Sequence, residues 1–218
     1  MSNFVLPLSQ VEKDARNHAL LCSIGFLILL PLGSLTARYL RTVTNGWWFG
    51  HWLTNFVVAG PVIFAGWALG YKTTNEGFTG GHFNDPHKRI GLTLLILYCI
   101  QLLLGMFIHF FRVPFLFVGH RPPQNYFHAI FGLIILALAA YQVHYGLYTE
   151  WVFSTGNLHP VPESAKHAWL ALIIVRHHDL IKVWSELTVM IFVFHLTGLL
   201  VTLCSGLGIS TEAVSTRK

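Results

Sequence analysis

Charge is what this sequence has least of. Only 14 of its 218 residues are Lys or Arg and nine are Asp or Glu, 11% charged in all, where soluble chains carry roughly a quarter. With 54% hydrophobic residues, that deficit excludes an ordinary soluble globular protein and puts the chain in a lipid bilayer. Cysteine is nearly as scarce. Cys22, Cys99 and Cys204 all fall in apolar segments, which leaves no disulfide framework and no zinc knuckle. Met1 to Asn17 lack the basic, apolar and small-residue succession of a cleaved leader, so the first helix is expected to act as its own insertion signal. The formal charge of +5 is spread through short connections without a basic stripe, and no nucleic-acid partner is expected.

What the chain does have is apolar sequence in spanning lengths. Five runs, near 18–37, 48–71, 90–111, 127–148 and 184–207, are each long enough to cross about 30 Å of hydrocarbon as helix. The expected fold is all-α, a single-domain integral membrane bundle of five transmembrane helices. Pro31 should kink the first, and the Gly46-Trp47-Trp48-Phe49 cluster should sit at the interface before the second. Asp85 is a fit N-cap and Pro86 suits the first position of the third helix. Between 152 and 182 the chain carries Pro160, Pro162 and an apolar stretch of eight residues, Ala168 to Val175. That stretch is too short to span, and a short interfacial helix is expected there, followed by a fifth helix at about 183–207.

Histidine supplies the chemistry. Four successive helices each carry one near an entrance: His18, His51, His87 and His128. With alternating direction, His18 and His87 share the face that bears the N-terminus (face one), and His51 and His128 share the opposite face (face two). Two facing imidazoles near each surface form the arrangement that clamps two planar macrocycles, each iron between two rings. The two layers should lie very roughly 20 Å apart at helical rise. No Cys-x-x-Cys-His run occurs, so any haem would be held without thioether bonds. Glycines 25, 33, 60, 66, 70, 91, 105 and 132 can admit a porphyrin or serve close helix packing, and the sequence does not separate those uses.

The other histidines are weighed against plain packing. His109 stands roughly six helical turns beyond His87 and returns to nearly the same face, within reach of the face-two cofactor. His144 is turned roughly 160° from the His128 face. His195 has no equivalent partner, and His177, His178 and Asp179 read as solvated polar residues. Arg38, Arg41, Arg112 and Arg121 ring the face-two mouth, where they can either hold an acidic small molecule or act as ordinary flanking anchors. A transporter built on histidines is disfavoured, because only Glu186 is placed as a carboxylate partner near a span.

At these residues the sequence resembles the eukaryotic cytochrome b561 family, in particular its fungal membrane domain. The matching stretches include His18-Ala-Leu-Leu, Leu30-Pro31-Leu32-Gly33 through Arg38-Tyr39-Leu40-Arg41, His51 through Gly66-Trp67-Ala68-Leu69-Gly70, Pro86-His87-Lys88-Arg89-Ile90-Gly91, Arg121-Pro122-Pro123-Gln124-Asn125-Tyr126-Phe127-His128 and Tyr148-Thr149-Glu150-Trp151. The resemblance covers about residues 15–151. It implies two non-covalent b-type haems, ligated by His18 with His87 and by His51 with His128. It further implies a multi-pass protein of the plasma membrane or an endomembrane, with a non-cytoplasmic N-terminus. Electrons would pass from cytosolic ascorbate or a similar reductant to ferric iron, as a ferric chelate, or to a separate secreted redox protein. Arg38 and Arg41 are the positions that the resemblance assigns to the donor, with Arg121 and His109 as further candidates. No fused DOMON domain is expected, the insertion at 152–182 is longer than the pattern suggests, and a homodimer stays open.

Overall fold

The structure, a computed structural model, describes residues 6–78, 80–111 and 122–173. The described residues contain helices and no strand. Four helices are long and apolar enough to cross a membrane: α1 (Gln10–Thr42), α2 (Trp47–Asn75), α3 (Pro86–Phe110) and α4 (Pro123–Ser154). The expected fifth helix lies outside the described residues, as do Arg112, Arg121, His177, His178, Asp179, Glu186 and His195. The chain divides into two compact units, Met1–Leu170 and Ala171–Lys218. All four spanning helices belong to the first.

Helices α1 and α3 begin earlier than their apolar runs, because polar residues close the first turn. Ser9 caps α1 in a reciprocal capping box with Glu12, which carries the helix a full two turns ahead of His18. Asp85 accepts from Lys88 N at 3.0 Å and Pro86 opens α3. Both fill positions where helical N–H groups lack partners.

Proline shapes the interiors of α1 and α2. Pro31 and Pro61 have no N–H to donate, and their rings crowd the carbonyl four residues back. The helices answer with wide turns just upstream, Ile24–Leu29 and Leu53–Val58. Leu30 N–H reaches Gly25 O and Ala59 N–H reaches Thr54 O, each five residues back. At Pro31, where the sequence leads to the expectation of a kink, the structure has a π-type turn just upstream.

Helices α1 and α2 pack along most of their lengths, as do α3 and α4, and α4 also meets the wide turn of α1. The core is the middle of this bundle: Phe26, Leu27 and Leu30 of α1, Ala59 and Ile63 of α2, Leu94 and Tyr98 of α3, and Ile135, Leu136 and Ala139 of α4. Tyr98 is 2% exposed, and its hydroxyl donates to Asn55 O at 2.6 Å. Asn55 O is the carbonyl that Ala59 N–H passes over in the wide turn of α2. A buried phenol in lipid needs an acceptor, and the irregular turn supplies one.

At face one the chain after α4 folds back on the start of α1. The 152–182 stretch begins as the last turn of α4, and residues 163–170 are helical again. Lys166 lies over the Tyr148 ring, while Trp169 donates to Ala140 O and packs on His144. The contacts step down α4, so this part of the segment follows that helix. Upstream, His159 presents Nδ1 to Glu12 Oε1 at 2.8 Å and Nε2 to Leu6 O at 2.9 Å. Only the imidazolium carries both N–H groups.

The Glu12 hydrogen bond, followed by the Leu6 carbonyl, raises the His159 pKa above 6.5. A raised folded-state pKa means that this tie contributes in full below about pH 6.5 and fades as pH climbs through the raised value. Amide exchange over residues 6–12 should therefore rise with pH more steeply than its base-catalysed trend. His159→Gln should remove the excess, and superimposable profiles for the two proteins would discount the tie.

Candidate functional site

The four entrance histidines meet in two pairs. The His18 and His87 ring centres are 6.2 Å apart with planes at 79°, and those of His51 and His128 are 6.2 Å apart at 75°. With a metal–imidazole bond of about 2.0 Å and a ring centre about 1.1 Å behind its nitrogen, two rings flanking one ion lie roughly 6.2 Å apart. Both pairs have that spacing. Among the described residues no group of three or more His, Cys, Asp or Glu gathers to hold a metal. Two imidazoles alone leave a six-coordinate ion four donors short, and a planar four-nitrogen macrocycle supplies that number.

Hydrogen bonding orients the rings on α1 and α2. His18 Nδ1 donates to Gly66 O at 2.7 Å, and His51 Nδ1 donates to Gly33 O at 2.8 Å. Each bond commits the proton to Nδ1 and leaves the Nε2 lone pair for a metal, the usual role of a partner behind a ligating histidine. The bonds are reciprocal, since Gly33 and Gly66 each stand roughly four turns beyond their own helix's histidine. On α3 and α4 the corresponding glycines, Gly105 and Gly146, stand about five turns beyond theirs. A Cβ on Gly105 would lie 3.1 Å from His128 Cε1, and one on Gly146 would lie 3.2 Å from His87 Cε1. Four to five turns of helix separate the two layers by about 22–27 Å.

These contacts sort the glycines. Gly33, Gly66, Gly70 and Gly105 border a histidine or its hydrogen-bonded neighbour, as does Gly146, whereas Gly25 makes room for Ile63 and Gly60 for Tyr98. Gly91 and Gly132 face two glutamine amides, Gln142 and Gln101. The sequence reading passed over those glutamines and Asn55. Their spacing is nevertheless visible in the chain: α3 carries His87, Gly91, Gln101 and Gly105, and α4 carries His128, Gly132, Gln142 and Gly146 at identical intervals.

The remaining candidates lie at face two. His109 stacks flat on Trp48 with ring centres 4.3 Å apart, three residues ahead of His51, and is exposed. Arg38 is half-buried with its guanidinium 5.9 Å over the Tyr39 ring, and Arg41 is exposed at the end of α1. The described face-two ends, 33–55, 101–111 and 122–132, contain no Asp or Glu. His144 stacks on Tyr148, away from both pairs.

A membrane-spanning four-helix core with opposed imidazoles near each surface defines a class, the integral membrane redox carriers. The chain belongs to the eukaryotic cytochrome b561 family, whose profile matches residues 17–154. That family binds b-type haem and carries electrons across membranes. Among curated proteins, the chain is similar to three cytochrome b561 and DOMON domain-containing proteins of Arabidopsis thaliana. One is 31% identical over 163 residues, covering 72% of this chain and 36% of that protein. A second is 31% identical over 90 residues, covering 41% and 22%. A third is 23% identical over 158 residues, covering 69% and 40%. The chain thus spans well under half the length of these relatives. No solved structure matches it significantly.

Proposed function

We propose that the chain conducts electrons across its membrane through two b-type haems, one held by His18 and His87 and the other by His51 and His128. The supporting observation is the pair of equal 6.2 Å ring separations, one near each surface. Haem supplies a one-electron iron couple. His18 and His51 keep Nε2 free as a ligand because their Nδ1 protons are committed to glycine carbonyls, and the glycines beside the rings leave room for a flat group. Two imidazoles from facing helices would fill the positions that haem iron otherwise leaves open, which would suit outer-sphere transfer over oxygen activation.

In this reading face two is cytosolic and face one is not. Arg38 and Arg41 stand at a face-two mouth whose described helix ends, 33–55, 101–111 and 122–132, contain no Asp or Glu, which favours a small anionic reductant of the ascorbate type. His109 and Arg121 are assigned to the same mouth. The acceptor at face one is ferric iron. Vesicles holding ascorbate inside and haem-loaded protein in the membrane should reduce an external ferric chelate, and Arg38→Ala with Arg41→Ala should slow haem reduction by internal ascorbate severalfold. Haem that reduces fully while external iron stays ferric would overturn the iron assignment. A second reading, relay to a separate secreted redox protein, is favoured by the names of the relatives, which pair this domain with a DOMON domain. Reduction of such a protein without reduction of free iron would select it.

A further inference from the structure

We propose that Gln142 and Gln101 are positioning residues, each clamping one histidine by two bonds: the amide N–H donates to the histidine's own backbone carbonyl, and the amide oxygen accepts from its ring Nδ1–H. Gln142 acts on His87 and Gln101 on His128. The inference rests on the reading of these histidines as haem ligands and adds to it how the α3 and α4 rings are held.

Half of each clamp is in place. Gln142 Nε2 donates to His87 O at 2.6 Å and lies 3.0 Å from His87 Nδ1. Gln101 Nε2 donates to His128 O at 2.8 Å. The other half is marked by atoms that lack partners: Gln142 Oε1, Gln101 Oε1 and His128 Nδ1 are all buried without a hydrogen bond. Orphaned polar atoms in the interior of a membrane bundle are costly, and an acceptor and a ring nitrogen orphaned on contacting residues are each other's remedy. The clamp requires a turn of the glutamine side chain that sets Oε1 on Nδ1 and leaves Nε2 on the carbonyl; a plain exchange of amide O and N would put Oε1 against the carbonyl oxygen instead.

The sequence repeats the device. Histidine, glycine four residues on, glutamine fourteen on and glycine eighteen on occur in both α3 and α4. Those helices run antiparallel, so each supplies the glutamine for the other's histidine. The first glycine lies beside the amide in both helices: a Cβ on Gly132 would come within 2.8 Å of Gln101 Nε2, and one on Gly91 would sit in ordinary contact, 3.4 Å from Gln142 Nε2. The α1 and α2 histidines need no such help, because the carbonyls of Gly66 and Gly33 already accept from them. Each layer then pairs one ring backed by a peptide carbonyl with one backed by a side-chain amide.

An acceptor behind Nδ1–H pushes electron density through the ring and favours oxidised iron. Gln142→Met in the haem-loaded full chain should therefore raise the potential of the face-one haem and alter its low-spin EPR signal while leaving the face-two haem alone. Gln101→Met should do the reverse. No shift in either variant, or equal shifts of both haems in a single variant, would overturn the clamp while leaving the ligand reading standing. A wild-type protein without any low-spin bis-imidazole signal would overturn the ligand reading and the clamp with it. Should the variants fail to fold, an experimental structure of the loaded wild type decides: Oε1 within about 3.2 Å of Nδ1 supports the clamp, and an oxygen turned away refutes it.

Discussion

His51→Ala and His128→Ala should each remove one haem and the same one, and His18→Ala and His87→Ala should each remove the other. The pairs are defined by geometry, since each histidine has its one 6.2 Å imidazole partner on a helix from the other half of the bundle. Loss of a partner behind a ligand lowers metal affinity by about 10–100-fold, and loss of the ligand itself exceeds that. Pyridine haemochrome assay should read close to two haems per chain in the wild type and close to one in each variant. Transmembrane ferric reduction should disappear in all four, because the remaining site stands at a single surface. Retention of both haems after any one change would refute the pairing.

Gly70→Ala should weaken haem binding at the face-one site without removing a ligand. A Cβ there would lie 2.7 Å from both Cε1 and Nδ1 of His18, closer than such contacts occur, and His18 is tied in place through Nδ1 to Gly66 O at 2.7 Å. The ring has to turn, which costs about 1–3 kcal/mol of overpacking and about 0.5–1.5 kcal/mol of hydrogen bond. Together these weaken haem binding by about 1.5–4.5 kcal/mol, roughly one to three decades. Titration of the apoprotein with haemin should show one site at wild-type affinity and one weakened. Gly46→Ala is the control, because its Cβ meets nothing closer than 3.8 Å. Equal behaviour of the two variants would mean that the His18 ring has more freedom than its contacts allow.

Much of this was legible in the chain because hydropathy and residue spacing act through local helix geometry. Apolar runs of spanning length announce helices regardless of their neighbours, and one histidine per helix in alternating direction sorts into faces by counting. Gln101 and Gln142 were passed over for the opposite reason. A single glutamine in an apolar run reads as a tolerated polar residue, and its meaning appears only when a neighbouring helix brings it against another residue's carbonyl. The same holds for Asn55, whose amide sits 3.0 Å from both Nδ1 and O of His51, and for Tyr98, whose acceptor exists because α2 widens ahead of Pro61. Helix starts were misjudged by up to two turns where polar caps such as Ser9 and Glu12 extend the helix beyond its apolar stretch.

The amino-acid order by itself determined that this is a helical membrane protein, which face each entrance histidine occupies, and the family to which it belongs. Those properties follow from composition, from the constant rise of a helix per residue and from strict reversal of direction at each loop. Only the tertiary structure decided how close the imidazoles come, which glycines border a ring and which border a side chain, and which atoms stand behind each Nδ1. These are contacts between helices, and side-chain volume and hydrogen-bond direction at a crossing are set by two segments at once, so neither segment's sequence contains them alone.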